Sequence, residues 1–245
     1  MDSVGQMNGG NVLRTDDLAQ IYCDFDGTVS VQDATDFVLS QLADPEWQEI
    51  ERLWENGEIG SGECMRRQVS LIRARPGQLD EVLDEIEIDP FFASFANFCA
   101  ARSLPVTIVS DGVDHFIRRI LRRHGLDHLP VVANRLVVST RTGQPQYFLS
   151  SPHAGPTCTT TAGVCKCRWL TAHKQERVYI GDGRSDFCVA DKPEFLFAKG
   201  ELARHCAERE IPFFAYRDFG DVIASLRKAA AHLPEAVEKS QYATV

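Results

Sequence analysis

The chain has 245 residues, enough for one α/β domain with a sizeable insertion or for two small domains. Hydrophobic residues make up 44% of it, which excludes global disorder, and a formal net charge of −9 with no basic stripe argues against a nucleic-acid surface. No run approaches the ~20 consecutive apolar residues that a membrane-spanning helix needs.

Met1 to about Asp17 is polar and rich in glycine and asparagine. It lacks the apolar core of a signal peptide and reads as a mobile tail (residues 1–17) on a cytoplasmic protein. Ala19 to Cys23 is a short run of strand formers that stops at Asp24-Phe25-Asp26-Gly27-Thr28, as a buried strand ending in a tight loop does. Residues 33–91 then read as wholly helical. Asp44-Pro45 predicts a helix start, Trp47, Ile50, Leu53 and Trp54 recur at helical spacing as packing positions, and Gly57 supplies a stop. Leu79, Val82, Leu83 and Ile86 form a second apolar stripe. An insertion directly after the first polar loop is placed to lie over the strand ends as a cap.

Pro105 to Val109 reads as the next strand and ends at Ser110-Asp111-Gly112. A helix over Val113 to His124 follows, with Arg118, Arg119, Arg122 and Arg123 spaced like an exposed face. A hairpin falls within Val131 to Phe148. Further strands are expected at Arg177 to Ile180, Phe195 to Phe197 and Pro212 to Tyr216, with helices over Lys166 to Ala172, Ser185 to Ala190, Glu201 to Glu210 and Asp218 to Ala231. This alternation predicts an α/β fold: a Rossmann-like parallel sheet with helices on both faces, built from residues 18–32 and 92–235, with 33–91 as an inserted helical cap. Functional groups in such sheets gather at the carboxyl ends of the strands. The three polar loops at Asp24, Ser110 and Asp182 all fall there.

Eight cysteines without a secretion signal are expected to stay reduced. His153, Cys158, Cys165 and Cys167 are close enough in sequence to raise a zinc site or a redox-sensitive pair. Their spacing is not that of a zinc finger, and ordinary loop cysteines are the simpler reading.

The chemistry rests on the loops. Asp24 and Asp26 are i and i+2 in an extended segment and share a face, so they repel unless a proton or cation intervenes. Asp182 and Asp186 close another strand. If the loops meet, several carboxylates surround one point, a hard-oxygen site suited to Mg²⁺. Thr28 offers a hydroxyl donor for a phosphate. Ser110, with the backbone N–H groups of Asp111 and Gly112 at the start of the next helix, is placed to hold phosphate oxygens. A lysine is needed to offset transition-state charge. Lys166 is favoured over Lys174, because it starts the helix that leads into the Arg177 strand and so lies near the active edge.

Asp24-Phe25-Asp26-Gly27-Thr28, Val109-Ser110-Asp111-Gly112, Lys166 and Gly181-Asp182-Gly183-Arg184-Ser185-Asp186 occur in the order and approximate spacing of the four motifs of the haloacid dehalogenase superfamily. The chain resembles that superfamily from Ile21 to about Val222. The resemblance implies a phosphoric monoester hydrolase in which Asp24 attacks phosphorus to form an aspartyl-phosphate. It implies that Asp26 acts as general acid and then base. It assigns Mg²⁺ to Asp24, Asp182 and the backbone carbonyl of Asp26, with Asp186 in support, and the phosphoryl group to Ser110, Lys166 and the Gly112 amide.

The helical cap resembles the phosphoserine phosphatase branch. That branch's acid for the substrate amino group falls at Asp33 and its carboxylate-binding arginine at Gln68. A neutral amide does not replace a bidentate guanidinium, so phosphoserine is disfavoured even if the neighbouring Arg67 is considered. Tyr22 to Asp33, Val106 to Phe116, Val178 to Asp186 and Ser151-Pro152-His153 leading to Cys165-Lys166 are more similar to the 2-hydroxy-3-keto-5-methylthiopentenyl-1-phosphate phosphatases of methionine salvage, in which Arg67 has a counterpart. The expected substrate is a small phosphorylated metabolite, with no nucleic acid or membrane partner. Phosphoserine phosphatase, or phosphotransferase or phosphomutase activity on the same scaffold, is the alternative, and the oligomeric state is left open.

Overall fold

Ile21, Tyr22 and Cys23 are fully buried, and they lie in the first strand, β1 (Gln20–Cys23), at the middle of the sheet. The computed structural model describes residues 20–141, 143–155, 161–171 and 176–230. The expected N-terminal tail, Cys158, Lys174 and residues 231–235 lie outside these. Parallel pairing places β2 (Val106–Val113) on one side of β1 and β5 (Arg177–Gly181) on the other. Outward from β2 come β3 (Val131–Ser139) and β4 (Gln146–Ser150); outward from β5 come β6 (Phe195–Ala198) and β7 (Phe214–Ala215). The order is β4-β3-β2-β1-β5-β6-β7, and within it only the β3–β4 hairpin is antiparallel. The three central strands therefore end side by side, and the first, second and fourth polar motifs meet at their carboxyl ends.

Helices α1 (Ala34–Leu42), α2 (Trp47–Glu55), α3 (Ser61–Val69) and α4 (Pro76–Leu83) form the insertion between β1 and α5 (Phe92–Ala100). Its neck is a pair of short crossings: Val31 N–H donates to the Glu87 carbonyl at 3.0 Å, and Asp89 N–H to the Val29 carbonyl at 2.8 Å. The helix stop expected at Gly57 is present. Gly57 adopts φ +76°, and Glu58 N–H closes back on the Leu53 carbonyl at 2.9 Å. Helix α2 begins two residues later than Asp44-Pro45 suggests, with the Asp44 side chain accepting from Glu46 N–H. Only Ile50 of its expected apolar stripe is fully buried, because this helix edges a cavity.

Among the described residues the insertion has no separate core. Leu39, Leu79, Leu83 and Ile86 belong to one continuous apolar cluster with Phe116, Ile120 and Leu121 of α6 (Asp114–Arg123). Arg119 of α6 is likewise not simply exposed: it pairs with Asp84 at 2.5 Å and Asp80 at 3.5 Å on the α4 side. A second cluster, including Tyr22, Val109, Tyr179 and Leu196, packs the other face of the sheet beneath α7 (Lys166–Thr171) and α8 (Gly200–Glu208). Helix α9 (Phe219–Ala230) closes against α5 through Phe219, Phe92 and Phe95.

Two local expectations change. The segment Ser110-Asp111-Gly112 does not open a helix. It continues β2 in extended form through a register shift between Val109 and Val113, and α6 begins only at Asp114. The segment expected as a helix from Ser185 is a tight 3-10 turn, Arg184–Val189, because Asp186 accepts from the Asp182 and Gly183 amides and draws the chain in.

Candidate active site

Lys166 is the centre of the polar cluster. It is 2% exposed, and its Nζ lies 2.9 Å from Asp24 Oδ2, 2.6 Å from Asp186 Oδ1 and 2.9 Å from Ser185 Oγ. Burial opposes its charge, but Asp186 and Asp24 outweigh that and hold the ammonium above its usual value. Asp24 is 4% exposed, and its other oxygen accepts from the Phe25 amide at 2.8 Å. Burial and then the Asp186 charge push the Asp24 carboxyl well above the usual carboxylate range, with Lys166 working against both. Asp186 is wholly buried and also accepts from Tyr179 Oη at 2.6 Å.

Asp24, Asp182 and Asp186 each bring a carboxylate oxygen within 4.8 Å of the others. Lys166 pairs with two of them. Asp182 makes no ion pair among the described residues; Thr28 Oγ1 donates to its Oδ1 at 2.7 Å, and burial still pushes it up to about 6. An all-oxygen donor set with unbalanced negative charge fits a hard divalent cation such as Mg²⁺. Gly27 makes the approach possible. It sits at φ +69°, and a Cβ there would collide with the Asp182 carboxylate. Thr28 is thus turned towards Asp182 rather than towards open space for a phosphate.

Asp26 also lines the cavity. Its Oδ1 accepts from the Ala34 amide at the start of α1, and burial followed by the Asp33 charge raises its carboxyl well above the usual range. Gly112 lies directly against it: a Cβ there would fall 2.6 Å from Asp26 Oδ2 and 3.0 Å from Ser110 Oγ. The Gly112 N–H donates to Ser110 Oγ at 2.9 Å. Asp24, Asp26, Ser110, Gly112 and Asp182 line a single cavity of about 290 Å³, with Lys166 behind its floor. Such an arrangement can hold a tetrahedral dianion between a carboxylate nucleophile and an acid on facing sides.

The profile of the haloacid dehalogenase-like hydrolases matches residues 21–191. The chain belongs to that family. Among curated relatives of this haloacid dehalogenase-like hydrolase, the 2-hydroxy-3-keto-5-methylthiopentenyl-1-phosphate phosphatase of Brevibacillus brevis (strain 47 / JCM 6285 / NBRC 100599) is 27% identical, over 85% of this chain and 95% of the relative. A polyol phosphate phosphatase of Saccharomyces cerevisiae (strain ATCC 204508 / S288c) is 24% identical, over 87% and 94%. A solved phosphoserine phosphatase, an analogue of its phospho-aspartyl intermediate, superposes with a TM-score of 0.63 at 20% identity, covering 84% of this chain and 98% of that one, which establishes the shared fold. With phosphatase relatives along nearly its full length, this hydrolase is a phosphoric monoester hydrolase.

The three residues expected to choose the substrate separate in space. Asp33 lines the cavity but also caps α1, accepting from the Asp36 amide at 2.9 Å. Gln68 is buried at the cavity wall, where its Nε2 donates to Glu51 Oε2 at 2.7 Å and to the Trp47 carbonyl at 3.4 Å. Arg67 is not part of the lining; it is exposed and pairs with Glu63 at 3.7 Å, one helical position round from Gln68. Cys165 is buried beside Lys166, whereas Cys167 donates towards the Cys188 carbonyl at 3.1 Å. Among the described residues the acidic trio is the one metal-capable group, so the loop cysteines form no such cluster there.

Asp111, expected to offer only its backbone N–H to a phosphate, also uses its side chain. Its carboxylate accepts from Ser61 Oγ of α3 at 2.7 Å and from the Val164 amide at 2.9 Å, while Asn134 Nδ2 donates to its carbonyl at 2.6 Å. Gly62 N–H reaches the Thr161 carbonyl at 3.3 Å. The insertion is thereby pinned over the strand ends. Nothing in the local sequence around Asp111 signals this, because its partners come from three distant segments.

Two expectations follow. Gly112→Ala is expected to lower phosphate release about 10²-fold, since the methyl group displaces Asp26 and Ser110 by a substantial part of an ångström; steady-state kinetics with an unchanged melting temperature checks it. Ser61→Ala removes a hydrogen bond to a buried carboxylate and is expected to raise KM about three- to tenfold, with a loss of stability of about 1–3 kcal/mol. An unaltered KM would mean that the pin does not hold the insertion in place.

Proposed function

We propose that this phosphatase is a Mg²⁺-dependent phosphomonoesterase acting on a small phosphorylated metabolite through an aspartyl-phosphate at Asp24. The observation that carries the proposal is the Asp24 carboxylate at a central strand end, 2.9 Å from Lys166 and grouped with Asp182 and Asp186 within 4.8 Å. One Asp24 oxygen attacks phosphorus, and the ester P–O bond breaks with its electron pair going to the leaving oxygen. Asp26 gives that oxygen its proton. In the second half Asp26 takes a proton from water, the water oxygen attacks the phosphoryl group, and Asp24 is released as a carboxylate. Lys166, Ser110 and the backbone at Gly112 hold the non-bridging oxygens. Mg²⁺, held by Asp24 and Asp182 with Asp186 in support, would neutralise phosphoryl charge when bound. The helices of residues 33–91 act as a cap that excludes water and admits only compact substrates.

The relatives include phosphatases named for 2-hydroxy-3-keto-5-methylthiopentenyl-1-phosphate and for polyol phosphates, which share the phosphate half of the reaction and differ in the leaving group. The test is direct. Chelation of divalent cations is expected to abolish phosphate release, and added Mg²⁺ to restore it. Acid-quenched turnover mixtures are expected to carry a phosphoryl adduct on the peptide that contains Asp24. An adduct elsewhere, or undiminished turnover in chelator, would overturn the mechanism.

A further inference from the structure

Among the described cysteines only Cys167 and Cys188 are not buried. They come from different elements. Cys167 lies in the first turn of α7, directly after Lys166, and Cys188 lies in the 3-10 turn Arg184–Val189, two residues after Asp186. Cys167 Sγ is 3.1 Å from the Cys188 carbonyl, and the two thiols are in hydrogen-bonding contact with each other. Cys64, Cys99 and Cys206 give the contrast: they are buried, and burial pushes each thiol up, as in inert core cysteines.

The pair runs alongside the contacts of Lys166. Its Nζ already joins the same two elements, through Asp186 Oδ1 at 2.6 Å and Ser185 Oγ at 2.9 Å. The turn has little room to yield. Asp186 also accepts from Tyr179 Oη at 2.6 Å and from the Asp182 and Gly183 amides, and Phe187 stacks on His205 of α8 with ring centroids 3.9 Å apart. A covalent S–S bond is shorter than any non-bonded sulfur contact. Closing it would therefore draw the start of α7, and with it Lys166, towards the turn.

We propose that Cys167 and Cys188 are a thiol-modification site, a pair that a low-molecular-weight disulfide oxidises reversibly to a Cys167–Cys188 disulfide, slowing phosphate release. The crosslink is independent of the reaction catalysed; its effect on turnover rests on the phosphatase reading above. The chemistry is thiol–disulfide exchange. One cysteine, as its thiolate, attacks a sulfur of the small disulfide; that S–S bond breaks and one small thiolate leaves. The second cysteine gives up its proton, and its sulfur attacks the protein sulfur of the mixed disulfide and expels the second small thiolate. The two released thiolates take up the protons that the cysteines gave up. The protein dithiol is oxidised by two electrons, and the small disulfide is reduced to two thiols.

The full chain is incubated with oxidised glutathione, its remaining thiols are alkylated, and its peptides are mapped by mass spectrometry without reduction. A peptide pair joining Cys167 to Cys188 is expected, with two hydrogens lost per chain, and it is expected to disappear in dithiothreitol. Release of phosphate from p-nitrophenyl phosphate with Mg²⁺ is expected to fall at least about tenfold in step with the crosslink and to recover on reduction. Cys167→Ser and Cys188→Ala are each expected to turn over like the reduced parent and to keep that turnover in oxidised glutathione. An absent crosslink, one through Cys158 or Cys165 instead, or glutathione left on either cysteine with no crosslink overturns the proposal. So does full turnover in the crosslinked protein, or equal inhibition of the two variants. If the reduced parent releases no phosphate, the phosphatase reading fails; the peptide map then still decides the site, which a Cys167–Cys188 crosslink supports and its absence overturns.

Discussion

Replacing Asp24 by asparagine is expected to reduce phosphate release at least about 10⁴-fold, to the level of the uncatalysed background of the assay, because the amide cannot open the reaction as a nucleophile. The fold is expected to survive. Asparagine keeps the shape that accepts the Phe25 amide, and Lys166 keeps Asp186 at 2.6 Å and Ser185 at 2.9 Å. The pH dependence of stability separates this from a generally damaged protein. The Asp24 carboxyl lies well above the usual range when folded, first through burial and then through Asp186. The folded state therefore holds that proton more tightly than the unfolded chain does. The resulting stabilisation is complete below the unfolded value of about 3.9 and is lost as pH rises through the folded value. A neutral asparagine carries no such loss. In metal-free buffer, Asp24→Asn is expected to melt within about 5 °C of the parent near neutral pH, and to lose less stability than the parent as pH is raised from mildly acidic to neutral. A variant that melts far lower, or that still turns over substrate, contradicts the assignment.

Lys166→Met is expected to damage both activity and stability, which distinguishes it from Asp24→Asn. The ammonium is 2% exposed between Asp24 and Asp186, themselves 4% and 0% exposed. Its removal leaves two buried carboxylates facing each other without a counter-charge, a change that costs about 3–5 kcal/mol for a broken buried pair. Loss of the charge that offsets the phosphoryl group costs about 10³-fold in rate. The two effects separate in the double variant with Asp186→Asn, which removes one of the stranded charges. Thermal melts are expected to recover part of the lost stability, with phosphate release staying as low as in the single variant. A Lys166→Met protein as stable as the parent would mean that the cluster is already neutralised by protons and that the ion pairs contribute little.

The insertion and the catalytic motifs differ in how far sequence reaches them. Each motif announces itself locally. A β-rich run ending in Asp-x-Asp-Gly, another ending in Ser-Asp-Gly, and a third ending in Gly-Asp-Gly specify strand ends in a parallel sheet, and the order of the sheet brings those ends together. The cavity-lining residues of the insertion carry no such signature. Thr35, Asp36, Glu51 and Trp54 look like ordinary positions of amphipathic helices, and Trp54 reads as core. Only their placement over the strand ends turns them into a cavity wall. Arg67 and Gln68 are adjacent in sequence, yet the helical turn sends one to Glu63 and the other to Glu51.

By itself the sequence determined the α/β alternation and marked the helical insertion, and it singled out Asp24, Asp26, Ser110, Lys166, Asp182 and Asp186 as one polar set at the strand ends. These depend on short-range pattern: period, strand-end loops and residue chemistry within a few positions. The tertiary structure alone decided that Thr28 serves Asp182, that Gly112 lies in an extended strand end against Asp26, and that Asp111 pins the insertion through Ser61. It also decided that Asp33, Asp36 and Glu51 line the same cavity as Asp24. Those facts are distances between segments tens of residues apart, set by how helices pack over a sheet, and no local pattern records them.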